Sequence, residues 1–198
     1  MTRAVISSIA LPLVFAWMLA AGPKTHFQAS SAQTYAHQKA GAVTVGAQVF
    51  DKPEMVEEAF GKKTDLLRYG VLPVLVVIDN KGQTPLDLSK LEVNLVASDG
   101  RHANPVSPND LYALAKRKPK TSVTPYPPIP LPSKKNPLDT PELQERAFAA
   151  RVIAPNDSAS GFFYFEARAE PDDKLYLNGI RDARSGQELL YFEFPVKQ

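Results

Sequence analysis

The sequence predicts an all-β fold, an antiparallel β-sandwich of about seven short strands. Three observations favour this fold class. Short runs alternate apolar and polar residues, turn residues separate these runs, and no helix recurs between successive runs. With 198 residues, the chain has the size of one domain that can bury a core of its own.

The first part of the predicted domain combines a strand with a short helix. Residues 42–50 alternate apolar and polar side chains and predict a half-buried strand. Residues 54–60 predict a helical turn, because Asp51 and Pro53 suit a helix start and Gly61 suits a helix stop.

Residues 71–79, VLPVLVVID, form the strongest predicted strand and are apolar on both faces. A strand of this kind lies inside a sheet and is covered on both sides. Pro73 cannot donate a ladder hydrogen bond, so it is expected at the start of the strand or at a bulge. A further alternating strand, 91–98, is predicted to end at a turn formed by Asp99 and Gly100.

The strand pattern lapses between residues 101 and 150, which are predicted to form a helical and Pro-rich insertion. Ser107 and Pro108 favour a helix start, and the helix is expected to run to residue 118. Eight of the 18 prolines lie between positions 119 and 141. A second helix is predicted over 141–151, with Pro141 in its first turn.

The final third is predicted to be β again, with strands near 151–153, 161–168, 175–180 and 188–196. In the aromatic strand 161–168, one face carries Gly161, Phe163, Phe165 and Ala167, and we assign that face to the core. Phe162 and Tyr164 then point the other way. Truncating Phe165 is therefore expected to cost more stability than truncating Tyr164.

The N-terminus has the features of an export signal. Arg3 precedes an apolar run, 4–21, and small residues follow that run. Residues 1–32 are therefore interpreted as a signal peptide, cleaved near residue 21 or near residue 32, or as an uncleaved membrane anchor. A flexible lead-in is expected over 33–41 and the sandwich domain over 42–198. The predicted location is the periplasm or the extracellular space.

Charge and cysteine content narrow the function classes. Removing residues 1–32 takes away Arg3 and Lys24 but no acidic residue, which leaves 21 basic and 21 acidic residues. A near-neutral exported protein is not expected to bind nucleic acid. Because the chain contains no cysteine, disulfides, thiolate metal sites, cysteine nucleophiles and lipidated cysteines are excluded. No cofactor-binding motif is present, and none is predicted.

Three short motifs carry a resemblance to a known family. They are Asp79-Asn80 at the end of the apolar strand, the Asp99-Gly100 turn, and Ser160-Gly161 followed by the aromatic strand. Together they resemble the exported bacterial immunoglobulin-like domains of unknown function that are common among lipoproteins. The resemblance covers about residues 42–100 and 151–196, and it implies an immunoglobulin-like sandwich. This chain departs from the family in lacking a lipobox cysteine and in carrying the long insertion.

The Pro-rich stretch 124–137, TPYPPIPLPSKKNP, is the main candidate for partner binding. Its prolines favour polyproline II, a conformation that docks into aromatic grooves of partner proteins. The candidate contacts are Tyr126, Pro127, Pro128, Ile129 and Pro130. Two other interpretations stay open, namely that this stretch folds back over the central strand or that it is disordered.

Basic residues flank the prolines and form a second candidate surface. They are Lys116, Arg117, Lys118, Lys120, Lys134 and Lys135. Such a cluster can bind an anionic surface, each charge contributing about 1 kcal/mol. The alternative is a solvated loop.

Candidates for catalysis are few. His102, with Asp99 or Asp110, is the only plausible base with an orienting carboxylate or part of a metal site. The favoured interpretation is an exported, non-catalytic binding or structural module of the cell envelope, with an unknown envelope or extracellular protein as partner. The alternative is an envelope hydrolase or metal-dependent enzyme that uses His102 and nearby carboxylates.

Overall fold

A computed structural model describes residues 27–117, 136, 138, 140–189 and 191–197. Within these residues the strands are β1 (Ala36–Ala40), β2 (Val43–Val49), β3 (Val71–Asn80), β4 (Leu86–Asp87), β5 (Glu92–Val96), β6 (His102–Ala103), β7 (Pro105–Val106), β8 (Val152–Ile153), β9 (Ser158–Glu166), β10 (Lys174–Asn178), β11 (Arg181–Asp182) and β12 (Phe192–Pro195). The α-helices are α1 (Pro53–Phe60), α2 (Pro108–Arg117) and α3 (Pro141–Glu145), and short 3-10 helices lie at Ala32–Thr34 and Leu67–Tyr69.

The paired strands of the described residues form three sheets. The five-stranded sheet has the order β1-β2-β3-β9-β7, the four-stranded sheet the order β12-β10-β5-β6, and the three-stranded sheet the order β11-β4-β8. Neighbouring strands in all three sheets pair antiparallel. The predicted all-β, antiparallel sandwich is confirmed, although many of its strands are shorter than expected.

Strand β3 is the centre of the five-stranded sheet, and every residue in it is buried. It pairs with β2 from Val49↔Val74 to Val43↔Asn80, and with β9 along almost its whole length. Pro73 lies near the start of β3, as expected, and its carbonyl accepts the Phe50 N–H at 2.9 Å. The prediction that this strand is covered on both faces is correct.

Two hydrophobic cores lie on the two faces of β3. The first core, between the five-stranded sheet and the smaller sheets, contains Val43, Val45, Ala47, Leu72, Val74, Val76, Ile78, Leu86, Leu88, Val93, Leu95, Ile153, Phe165, Leu175, Leu177, Ile180, Phe192, Phe194 and Val196. The second core, on the opposite face, contains Ala32, Phe50, Val56, Ala59, Phe60, Leu66, Val71, Leu75, Val77, Leu111, Leu114, Leu138, Leu143, Phe162 and Tyr164. The five-stranded sheet is thus covered by the smaller sheets on one side and by helices and loops on the other.

The face assignment of the aromatic strand β9 needs a correction. Phe165 belongs to the first core as predicted, but Phe162 and Tyr164 do not face solvent. Tyr164 is only 1% exposed, and its hydroxyl donates a hydrogen bond to the carbonyl of Leu143 at 2.9 Å. Burial raises the pKa of this hydroxyl, which stays protonated and keeps donating. The period-two pattern gave the alternation correctly, while the helical layer converts the second face into core.

The expected flexible lead-in, 33–41, is also corrected. Strand β1 pairs with β2 in an antiparallel register that runs from Ala36↔Ala47 to Ala40↔Val43. The side chains of β1 are mostly exposed, so no apolar period marks this strand. It is held by backbone hydrogen bonds to β2, which leave no trace in the pattern of side chains.

A side-chain amide connects β1 to the other sheet. The Nε2 group of Gln38 donates to the carbonyl of Glu193 at 2.7 Å, and the Oε1 atom of Gln38 accepts the Glu193 N–H at 3.1 Å. Glu193 lies in β12, so this pair of hydrogen bonds joins the edges of the two larger sheets.

The bounds of the predicted insertion, 101–150, are too wide. Strand β6 pairs with β5 and strand β7 pairs with β9, so residues 102–106 belong to the sandwich. At the far end, α3 stops at Glu145 instead of continuing to residue 151. The chain pairs there with Phe162, whose N–H donates to the Arg146 carbonyl at 2.8 Å and whose carbonyl accepts the Phe148 N–H at 3.0 Å.

We expect Tyr164→Ala to destabilise the protein about as much as Phe165→Ala, by about 3–5 kcal/mol each, because both rings are buried. Tyr164→Phe should cost only about 0.5–1.5 kcal/mol, since it removes one hydrogen bond and no ring. Urea unfolding of the three variants measures these costs. A Tyr164→Ala cost close to that of Tyr164→Phe would contradict a packed second core.

The carboxylate of Asp182 organises the turn after β11. Its Oδ1 atom accepts the N–H groups of Arg184 at 2.9 Å and Ser185 at 2.8 Å, and its Oδ2 atom accepts the Thr84 hydroxyl. The Thr84 hydrogen bond, followed by that of the Ser185 N–H, lowers the pKa of Asp182 to about 2 from the usual 3.8.

The sign of the resulting pH effect is fixed by this lowered pKa. The stabilisation from ionised Asp182 is present above about pH 4 and is lost as the pH falls towards about 2. We expect Asp182→Asn to flatten the dependence of the unfolding free energy on pH in this window, and Thr84→Val to flatten it partly. Urea unfolding at several pH values tests this, and curves parallel to the unmodified protein would refute it.

Candidate partner-binding site

The described chain that follows the Pro-rich segment returns against helix α2. Helix α2 ends at Arg117, and the described chain returns at Asn136. The side-chain amide of Asn136 donates to the carbonyl of Tyr112 at 3.0 Å and accepts the Leu138 N–H at 3.0 Å. The returning chain therefore lies against α2 at Asn136.

A second amide contact joins the two helices directly. The Nε2 group of Gln144 in α3 donates to the Oδ1 atom of Asn109 in α2 at 3.0 Å. Helix α2 begins at a serine cap, because the Ser107 hydroxyl accepts the Asp110 N–H at 3.3 Å. The start of α2 is the one that the sequence predicts.

Both helices are fastened to the sandwich by buried leucines. Leu111 and Leu114 of α2 and Leu143 of α3 lie in the second core, as does Leu138 just before α3. The carbonyl of Leu143 also accepts the buried Tyr164 hydroxyl. The helices are thus part of the folded domain and provide a fixed base for the segment between them.

The described residues supply apolar neighbours for the helical side of β3. Leu75 and Val77, on the helical side of β3, are 1% and 2% exposed. Their neighbours in the second core come from the N-terminal segment, α1, α2 and α3. These elements lie on both sides of residues 118–135 in the chain, and they give the helical side of β3 apolar neighbours outside the Pro-rich stretch.

Most of the residues predicted to contact a partner or an anionic surface lie outside the part of the chain that the structure describes. Tyr126, Pro127, Pro128, Ile129 and Pro130 lie outside the described residues, as do Lys118, Lys120, Lys134 and Lys135. Lys116 and Arg117 form the end of α2, which places two of the six basic residues at the start of the segment.

The structure reveals a groove that the sequence did not predict. A cavity of about 340 Å³ lies between α2 and α3, lined by Pro108, Asn109, Tyr112, Leu138, Thr140 and Gln144. Tyr112 is 39% exposed at this cavity. The sequence indicates two helices that begin with proline, one on each side of a Pro-rich run. It does not indicate that these helices pack against each other, which only the tertiary structure shows.

The alternative catalytic site around His102 does not assemble as expected. His102 is exposed on β6 and lines a cleft of about 550 Å³ that also contains Asp99 and Asp173. Asp99 is paired with Arg101 at 2.7 Å, and this pairing lowers the pKa of Asp99. Asp173 accepts the backbone N–H groups of Ser98 at 3.0 Å and Glu170 at 3.1 Å.

The carboxylates expected to orient His102 therefore have other partners. Asp110 accepts the Ser107 hydroxyl at 2.8 Å, at the start of α2. Within the described part of the chain, neither Asp99 nor Asp110 is hydrogen-bonded to His102. In that same part, no group of three or more His, Asp or Glu side chains is arranged to bind a metal ion.

None of the helices in the described ranges is both long and apolar enough to span a lipid bilayer.

No protein-family model matches the chain, and no curated protein matches it. The solved structures that are similar to it in part include three bacterial proteins. The Bacillus subtilis protein ycdA, named as a lipoprotein, has a TM-score of 0.41 and 14% identity over 86% of this chain. The match covers 40% of the length of ycdA.

The other two structures match over most of their own length. A DUF4426 family protein from Pseudomonas aeruginosa has a TM-score of 0.33 and 11% identity, over 80% of this chain and 91% of its own. The secreted protein MPT63 from Mycobacterium tuberculosis has a TM-score of 0.33 and 12% identity, over 83% of this chain and 95% of its own. With TM-scores below 0.5 and identities of 14% or less, these three similarities give no information about the function of this chain.

We expect Leu143→Ala to destabilise the domain by about 2–5 kcal/mol, because Leu143 fills the second core. The adjacent exposed residue provides a matched control, since Gln144→Ala removes one surface hydrogen bond and should cost about 1 kcal/mol or less. Thermal and urea unfolding of both variants measures the difference. Equal, small costs would show that α3 is not docked on the sheet.

Proposed function

We propose that this chain is an exported, non-catalytic immunoglobulin-like module of the cell envelope, and that its Pro-rich segment binds a partner protein. The proposal is carried by the second core, in which described elements on both sides of the segment pack against β3. Helices and loops on both sides of the segment bury Leu75 and Val77. Leu75 and Val77 thus have apolar neighbours outside residues 124–130, and the apolar side chains of that stretch are proposed to contact another molecule.

The chemistry of the segment suits docking into a groove. Proline fixes φ and carries no backbone N–H, so a Pro-rich run favours polyproline II and gives up little entropy on binding. Polyproline II has three residues per turn, which puts Tyr126 and Ile129 on the same edge, about 9 Å apart. These two side chains are the expected anchors in an aromatic groove, with Pro127, Pro128 and Pro130 packing around them.

The flanking charges indicate the electrostatic character of the partner. Lys116, Arg117, Lys118 and Lys120 precede the segment, and Lys134 and Lys135 follow its prolines. A groove with acidic residues on its rim complements this pattern. Charges of this kind mainly increase the rate of association and lose their effect as salt is added.

Non-catalytic binding fits the cleft of His102 better than hydrolysis does. A general base needs an orienting group, and Asp99, the candidate from the sequence that lies in this cleft, is paired with Arg101. Asp173, in the same cleft, is buried and bonded to two backbone N–H groups. Both carboxylates thus support the loops that carry them.

The test replaces residues 119–134 with a Gly/Ser sequence of the same length. Asn136 is retained, because its amide anchors the returning chain to Tyr112. We expect the variant to keep the circular dichroism spectrum and Tm of the intact protein. In a crosslinking pull-down from the producing cells, a partner should be captured by the intact protein and lost from the variant.

Two further variants separate apolar from charged contributions. Tyr126→Ala combined with Ile129→Ala should lose the partner at any salt concentration. Replacing Lys118, Lys120, Lys134 and Lys135 by Gln should weaken capture chiefly at low salt. Unfolding of the Gly/Ser variant would identify the segment as cover, and unchanged capture would identify it as connecting chain.

A further inference from the structure

The N-terminal segment that precedes β1 is built into the second core. The ring centre of Phe27 lies 6.0 Å from that of Phe50 and 5.5 Å from that of Phe162. The guanidinium of Arg146 lies over the Phe27 ring, 5.9 Å from its centre. Phe27 therefore completes an aromatic cluster on the helical side of the five-stranded sheet, and the cation over its ring adds to the attraction.

Ala32 is the most deeply buried point of this segment. It is 0% exposed, and its N–H donates to the Oδ2 atom of Asp79 at 3.0 Å. Asp79, in β3, is itself only 5% exposed. A buried carboxylate that loses a donor carries a large desolvation cost, so Asp79 depends on this N–H.

The backbone of Ala32 also occupies a space that only glycine leaves open. A Cβ atom at Gly46, in β2, would lie 2.4 Å from the Ala32 carbonyl oxygen. The absence of a side chain at Gly46 thus allows the segment to approach β2 this closely. Removing residues 27–32 would leave Gly46 without the contact of the Ala32 backbone, and it would leave Asp79 without the hydrogen bond from the Ala32 N–H.

The sequence offers two places at which a signal peptidase could cut the chain. Small residues occur near residue 21, directly after the apolar run, and again at Ser30 and Ala32. A cut after Ala32 would discard Phe27 and Ala32, whereas a cut near residue 21 would keep both. We infer that signal peptidase cuts on the N-terminal side of Phe27 and that residues 27–32 remain as part of the mature core. This inference rests on the proposed export of the protein.

Acidic side chains lie close to Phe27, and their charge is consistent with a cut on its N-terminal side. Phe27 and Gln28 line a cavity of about 780 Å³ together with Glu54, Glu57 and Glu58 of α1. A cut near residue 21 leaves a short stretch ahead of Phe27 that carries a new α-ammonium group and Lys24. Either cut creates an α-ammonium group, but only the earlier cut also keeps Lys24 in the chain whose Phe27 lies beside these carboxylates. Of the three carboxylates, that of Glu57 is already paired with Lys62 at 3.3 Å.

The test is the N-terminal residue of the protein recovered from the cell envelope or medium, read by intact mass and N-terminal sequencing. We expect the mature chain to begin between residues 21 and 27. Ala20→Phe combined with Ala21→Phe should slow processing, because bulky residues replace small ones at the cut. The matched control, Ser30→Phe, changes an exposed residue of the other small-residue pair and should leave processing unchanged.

Two purified chains provide a second readout that does not depend on the peptidase. A chain that starts at residue 22 should unfold at a Tm at least about 5 °C above that of a chain that starts at residue 33, given the loss of the Phe27 and Ala32 contacts. Equal Tm values would overturn the structural part of the inference.

The outcomes separate this inference from the proposed function. A mature protein that begins at Gln33, or an exported protein that keeps its first residues, overturns the inference and leaves partner binding untouched. Retention of the whole chain in the cytoplasm overturns both, because the proposed module would then never reach the envelope.

Discussion

Burial of both faces of β3 is the constraint on which the rest of the structure depends. A strand without a polar face cannot border water, so each face requires its own apolar layer. The smaller sheets supply one layer through alternating strands such as β5 and β10. The other layer is assembled from segments that lie far apart in the chain, namely the N-terminal segment and helices α1, α2 and α3. The helical insertion is thus a second wall of the sandwich and contributes to its stability.

Much of this arrangement could be predicted from residue patterns, but only where a side chain records its environment. The strands β2, β3, β5 and β9 show their periods in sequence, and α1 and α2 show their starts. Strand β1 does not, because its side chains are exposed and only its backbone pairs. The pattern predicts the wrong surroundings for Tyr164. Alternation indicates which residues share a face of the strand, whereas the burial of that face depends on helix α3, which comes from another part of the chain. The amide of Asn136, which bonds a carbonyl in α2, was likewise beyond any local pattern.

In the proposed function, the insertion contributes both to stability and to recognition of a partner. Its helices carry buried leucines into the second core, and amide hydrogen bonds fix their positions. The Pro-rich and basic stretch lies between these two helices in the sequence. In the proposed function, a rigid base thereby presents a segment that can change in sequence at little cost to folding. Such a division would let the partner specificity of the module diverge while its fold stays the same.

The hydrogen bonds from Gln38 to Glu193 have a consequence for the behaviour of the protein at high concentration. Strand β1 ends the five-stranded sheet, and an open sheet edge is a template on which a strand of another molecule can add. The Gln38 amide reproduces the donor and acceptor of a peptide group and links this edge to β12 of the same molecule. A single side chain of β1 therefore satisfies the backbone N–H and carbonyl of Glu193 in β12, the edge strand of the other sheet, and removes one donor and one acceptor with which a foreign strand could pair.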